Sequence, residues 1–128
     1  MTEILIITHG NFGKSLLESC KLITGDLKNC CALGLQKDES VDDLKDKAQE
    51  KIQELKSKGD VIVLVDILGG SPSNVANILL KKIGGFKIIV GVNLPLLISL
   101  ALSKNDVSDK KFMQQLINTT KDSIRLIE

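Results

Sequence analysis

Short uninterrupted apolar runs alternate along this chain with longer stretches in which apolar residues recur every three or four positions. Glu3 to Thr8 is a β-branched and leucine-rich run, the pattern of a strand covered on both faces, and it breaks at His9-Gly10. Ser15 to Thr24 places Leu16, Leu17, Cys20 and Ile23 at helical intervals, with Gly25 as the stop. Cys30 to Leu35 reads as a second short strand, closed by the polar break Gln36 to Glu39. Ser40 then caps a helix whose apolar positions Val41, Leu44, Ala48, Ile52 and Leu55 step by three and four, before Gly59 ends it. Val61 to Val65 is a third buried strand, and Asp66 terminates it.

Leu68-Gly69-Gly70 is a tight turn, and Ser71-Pro72 pairs an N-cap residue type with the residue favoured at the first helical position. Val75, Ile78, Leu79 and Ile83 form the inner face of the helix that follows, and Gly84-Gly85 stops it. Lys87 to Val92 is the fourth strand, and Pro95 opens a helix that is apolar almost all round. A charged loop from Ser103 to Asp109, a helix carrying Phe112, Met113, Leu116 and Ile117, and an extended piece from Ser123 to Ile127 complete the chain. Strands alternating with helices predict an α/β fold: a mostly parallel open sheet of four strands, flanked by helices and joined by right-handed crossovers. With 128 residues, one domain spanning 1–128 is expected.

Composition removes several classes of function. A formal net charge of +1 gives no general attraction to nucleic acid or anionic lipid. Three phenylalanines and no tyrosine or tryptophan leave few rings on which bases could stack. Cys20, Cys30 and Cys31 are odd in number and lack zinc spacing, so they read as reduced core thiols. The apolar run Ile4 to Ile7 is too short for a signal peptide, and Val92 to Leu102 falls well below the roughly 20 residues that span a bilayer. A cytoplasmic protein is expected. No nucleotide-binding glycine motif occurs, and a single histidine with no facing pair of acids offers too few ligands for a metal centre. Neither cofactor nor metal is therefore assigned.

In a parallel sheet, ligands bind beyond the carboxyl ends of the strands. His9 and Asp66 both stand there, on strands expected to be neighbours. A carboxylate accepting the Nδ1 proton fixes the imidazole tautomer and leaves the Nε2 lone pair outward, ready to attack phosphorus. Gly69, Gly70 and Ser71 bring backbone N–H groups to a helix N-terminus, which suits a phosphoryl group. Each feature also has an ordinary structural explanation: an incidental histidine, a turn-capping aspartate, a loop that simply starts a helix. Their coincidence at one sheet edge points to phosphoryl transfer through positioning and charge stabilisation.

Thr8-His9-Gly10, Val65-Asp66 followed by Gly69-Gly70-Ser71-Pro72-Ser73-Asn74, and Gly91-Val92-Asn93-Leu94-Pro95 occur in this order. With these motifs the chain resembles, nearly end to end, the IIA component of the mannose/fructose/sorbose class of the bacterial sugar phosphotransferase system (PTS). The resemblance implies that His9 takes a phosphoryl group from HPr and passes it to a IIB component, with phosphoenolpyruvate as the remote donor. It further implies that Asp66 orients the His9 ring and that the Gly70 and Ser71 region contacts the phosphoryl oxygens. Sugar is not contacted by this component, and the membrane is met only indirectly through the sugar permease.

Homodimers with an exchanged last strand are also implied; Ser123 to Ile127 matches that strand, and the apolar Val92 to Leu102 helix offers surface for a partner. Ser73 stands where many members carry a bulky residue, and the end at Glu128 suggests a stand-alone IIA protein with IIB on a separate chain. Other readings are the phosphoryl-donor subunit of dihydroxyacetone kinase, a regulatory module sensing phosphorylation, and an α/β binding domain with a structural His9.

Overall fold

Ile4, Leu5, Ile6 and Ile7 are completely buried, as a strand with helices on both faces requires; each such side chain contributes about 1.5–3 kcal/mol relative to exposure. They belong to β1 (Glu3–His9), the first element in the computed structural model, which describes residues 2–104 and 106–128. There follow α1 (Phe12–Thr24), β2 (Cys30–Leu35), α2 (Val41–Lys56), β3 (Val61–Val65), α3 (Ser71–Lys82), β4 (Phe86–Val90), α4 (Leu94–Leu102) and α5 (Lys110–Lys121). The four strands form one parallel sheet in the order β2-β1-β3-β4. β1 and β3 are therefore neighbours, with Ile7 opposite Val65.

Because strand side chains alternate between faces, the buried strands feed two separate cores. Ile4, Ile6, Ile62 and Leu64 pack with Leu17 and Cys20 of α1, Leu96, Leu97 and Leu100 of α4, and Leu116 of α5. Leu5, Ile7, Val61, Val63 and Val65 pack on the opposite face with Leu44, Ala48, Ile52 and Leu55 of α2 and Val75, Ala76 and Leu79 of α3. The expected Ser40 cap is present: its hydroxyl accepts the Asp43 N–H at 3.0 Å. Asn93 caps α4 in the same way, its side-chain oxygen accepting from Leu96 N–H at 3.0 Å.

Several boundaries differ from expectation. α1 starts at Phe12 rather than Ser15, because Thr8, still inside β1, accepts the Gly13 N–H at 2.8 Å and supplies the helix start from a distance. Ser71 is not the N-cap of α3. Gly70 takes that place in extended conformation, and Ser71 is the first helical residue with Pro72 after it. β4 runs from Phe86 to Val90 rather than from Lys87 to Val92. The chain turns at Gly91 (φ +94°), and the N–H groups of Gly91 and Val92 both donate to the Val65 carbonyl, at 2.9 and 3.0 Å.

Within the charged Ser103 to Asp109 loop, Asn105 lies outside the described residues. Beside it, Asp106 and Asp109 accept backbone N–H groups of Ser108 and Lys111, while Val107 is buried. The C-terminal piece, Ser123 to Ile127, pairs with no strand among the described residues, and its apolar residues Ile124, Leu126 and Ile127 are 81%, 84% and 92% exposed.

Candidate functional site

The register of β1 and β3 makes the site. Ile7 lies opposite Val65, so the end of β1 and the first residue after β3 emerge side by side at the carboxyl edge of the sheet. There the His9 ring Nδ1 stands 2.7 Å from Asp66 Oδ2. The His9 backbone N–H donates to the same oxygen at 2.9 Å, and Asp66 Oδ1 accepts the Ile67 N–H at 3.0 Å. Half of the imidazole side chain is exposed (51%), whereas the carboxylate is only 13% exposed. Burial pushes the Asp66 carboxyl upward, but the hydrogen bonds from the His9 backbone and ring, the His9 charge and the Ile67 amide outweigh it and hold the group below its ordinary value.

An ionised carboxylate can only accept, so the neutral imidazole that bonds to it carries its proton on Nδ1. Nε2 then bears the lone pair. On that side of the ring lies Gly70: a Cβ built there would sit 2.9 Å from His9 Cε1 and 3.5 Å from Nε2, as well as 3.0 Å from Ile67 Cγ2. Only the absence of a side chain lets the ring rest across this backbone. Gly69 adopts φ +82° to make the turn, a left-handed conformation that other residues adopt with strain. The turn delivers the chain into α3, whose first N–H groups lack intrahelical acceptors. Ser71, partly exposed, makes no side-chain hydrogen bond to the described residues, and Pro72 has no N–H to contribute.

The structure thus joins His9 to Asp66 by hydrogen bonds, lays the His9 ring across Gly70 and sets Gly69 and Ser71 on either side of Gly70. Other contributors were hidden in the sequence. Thr8 reads as one more strand residue, yet its hydroxyl serves the start of α1. Gly34 reads as one more position in β2, yet a Cβ there would lie 1.8 Å from the Gly10 carbonyl oxygen; its bare backbone makes room for the turn that follows His9. Gly10 makes that turn at φ +53°, with its N–H on the Leu35 carbonyl at 2.8 Å. Asn11 and Gln36 join across the same two loops, Gln36 Nε2 donating to Asn11 Oδ1 at 3.2 Å.

Among the described residues no cluster of three or more His, Cys, Asp or Glu could hold a metal ion. All three cysteines are free thiols. Cys20 lies in the core, Cys30 and Cys31 are only partly buried, and burial pushes the Cys30 thiol up to about 12. No helix is long and apolar enough to cross a membrane among the described residues.

The carboxyl edge of this four-stranded parallel sheet thus carries an aspartate-held, half-exposed histidine against a glycine turn. Residues 3–118 match the family model described as the PTS system fructose IIA component. The chain belongs to this family. It is 28% identical over 126 residues to the fructose-specific EIIA component of Bacillus subtilis, covering 98% of this chain and 86% of that protein. Against the mannose-specific EIIAB component of Escherichia coli K12 it is 29% identical over 103 residues, 80% of this chain and only 32% of that longer protein. A PTS IIA protein associated with the fucose utilization operon of Streptococcus pneumoniae has the same fold, with a TM-score of 0.87 and 27% identity over 98% of this chain and 92% of that one.

Proposed function

We propose that the protein is a phosphoryl carrier of a sugar PTS, accepting a phosphoryl group from phospho-HPr on His9 and donating it to a IIB component. The observation that carries this reading is the division of labour on one ring: Nδ1 is engaged by Asp66, and the Cε1–Nε2 edge faces the start of α3. The Nε2 lone pair forms the new N–P bond as the bond from phosphorus to the donor imidazole breaks, its electron pair leaving with the donor. A ring carrying both the Nδ1 proton and the phosphoryl group is cationic, and the Asp66 carboxylate opposes that charge. Backbone N–H groups of Gly69, Gly70 and Ser71, with the Ser71 hydroxyl, are suited to hold the phosphoryl oxygens. Transfer to IIB reverses these steps. Incubation with phosphoenolpyruvate, enzyme I and HPr tests the reading: an acid-labile phosphoryl adduct is expected, and His9→Ala must abolish it.

In this reading residues 1–128 act as one cytoplasmic domain, which meets the membrane only through the sugar permease. The protein works as a homodimer in which Ser123 to Ile127 of each chain extends the partner's sheet at β4. Three features support that arrangement. β4 is an edge strand, the tail exposes Ile124, Leu126 and Ile127, and an apolar hollow beside β4 is lined by Ile89, Leu96, Ile117 and Ile124.

A further inference from the structure

Thr8 is fully buried one residue before the nucleophile, and its hydroxyl is used in both directions. Oγ1 accepts the Gly13 N–H at 2.8 Å and donates to the His9 carbonyl at 3.2 Å. The formal N-cap of α1, Asn11, makes no capping bond, because its side-chain oxygen is taken by Gln36. Among the described residues, Thr8 alone therefore supplies a side-chain acceptor to the start of this helix. Gly13 is pressed against it: a Cβ at Gly13 would stand 3.1 Å from Thr8 Oγ1 and 3.0 Å from Ile6 Cγ2.

We infer that Thr8 is a positioning residue for His9, its hydroxyl clamping the nucleophile's own backbone to the first turn of α1. The inference rests on the phosphoryl-carrier reading for its consequence, but its geometry stands without it. The peptide frame of His9 is held at three points: its N–H on Asp66 Oδ2 at 2.9 Å, its carbonyl by Thr8, and the following Gly10 N–H on the Leu35 carbonyl at 2.8 Å. Ring and backbone donors can converge on one Asp66 oxygen only while that frame is fixed. Releasing the carbonyl leaves the His9–Gly10 peptide held by the Gly10 N–H alone, and the looser frame weakens the Nδ1 hydrogen bond. A small misplacement of a reacting group is enough to slow transfer strongly.

Because His9 is the only histidine, its ring nitrogens can be followed by 15N NMR without ambiguity. Thr8→Val removes the hydroxyl at nearly constant volume, Thr8→Ser keeps it, and Ser40→Ala deletes a helix cap remote from His9. In wild type and Thr8→Ser the neutral ring is expected to carry its proton on Nδ1. In Thr8→Val the signals shift toward a mixture of tautomers, and phosphoryl uptake from phospho-HPr falls about tenfold. Ser40→Ala should leave both readouts as in wild type. Wild-type tautomer and rate in Thr8→Val, or a Thr8→Ser variant as impaired as Thr8→Val, overturns the inference. Should Thr8→Val fail to fold, amide exchange in the unaltered protein decides: strong protection of the Gly13 N–H is required, and free exchange overturns it. Failure of the carrier reading looks different, since wild type would then take up no phosphoryl group while the NMR comparison still reports on Thr8.

Discussion

His9 reaches the same oxygen of Asp66 twice, through its ring at 2.7 Å and through its own backbone amide at 2.9 Å. The carboxylate therefore fixes the place of the residue as well as the tautomer of its side chain. Asp66→Ala should keep the fold, since the side chain lies at the sheet edge and outside both cores, but slow phosphoryl exchange about a hundredfold. Exchange at the wild-type rate would remove Asp66 from the mechanism.

The same contacts set a pH dependence of stability. The folded-state pKa of Asp66 lies below its ordinary 3.8, so in the acid range the unfolded chain binds the proton more readily than the folded one. Its contribution is complete above that ordinary value and is lost as pH falls through the depressed folded value. Denaturant titrations of wild type and Asp66→Asn should therefore converge as pH drops below about 4. A stability difference that stays constant from pH 6 to pH 3 would contradict this assignment.

Gly70→Ala tests the seat of the ring. The added methyl would arrive 2.9 Å from His9 Cε1, while the backbone at Gly70, φ −77°, suits any residue. Helix content should be unchanged and phosphoryl uptake reduced at least about tenfold. Gly69→Ala reverses the balance: nothing lies near the new Cβ, but φ +82° costs about 1–2 kcal/mol of stability. Thermal unfolding and uptake assays on both variants separate the two effects.

Much of this architecture was legible in the chain. Val61 to Val65, short and rich in β-branched residues, reads as a doubly covered strand, the three- and four-residue steps after Ser40 read as an amphipathic helix, and strands alternating with helices implied the parallel sheet. His9 and Asp66 were visible as candidates because both follow buried strands. Contacts between residues far apart in sequence, or on the hidden side of a strand, were not. The hydroxyl of Thr8 reaching forward to Gly13, and the need for Gly34 to be bare opposite Gly10, depend on strand register and side-chain direction, which residue types do not encode locally. Ser71 was misplaced as a cap for a related reason: the extended residue before α3 is Gly70, whose bare backbone is required by the His9 ring from a distant strand.

Ser73 is buried completely and its hydroxyl has no hydrogen-bond partner among the described residues. Ser73→Ala removes an unsatisfied buried group and improves helix propensity, so it should stabilise the protein by about 1 kcal/mol. Uptake of the phosphoryl group should not change. A lower melting temperature would mean that the hydroxyl is satisfied in solution.

Deleting residues 124–128 tests the proposed exchange of the C-terminal segment. None of them belongs to either core, so the α/β domain should persist by circular dichroism. Sedimentation should show a dimer for the full chain and a monomer for the truncated one. An unaltered dimer after deletion would place the subunit interface elsewhere.

The central claim is tested most directly by locating the phosphoryl group after incubation with phosphoenolpyruvate, enzyme I and HPr, using mass spectrometry for the residue and 15N–31P coupling for the atom. An acid-labile adduct on Nε2 of His9, absent from His9→Ala, is the expected result. An adduct that persists in His9→Ala, or one bonded to the Nδ1 that faces Asp66, would contradict the account.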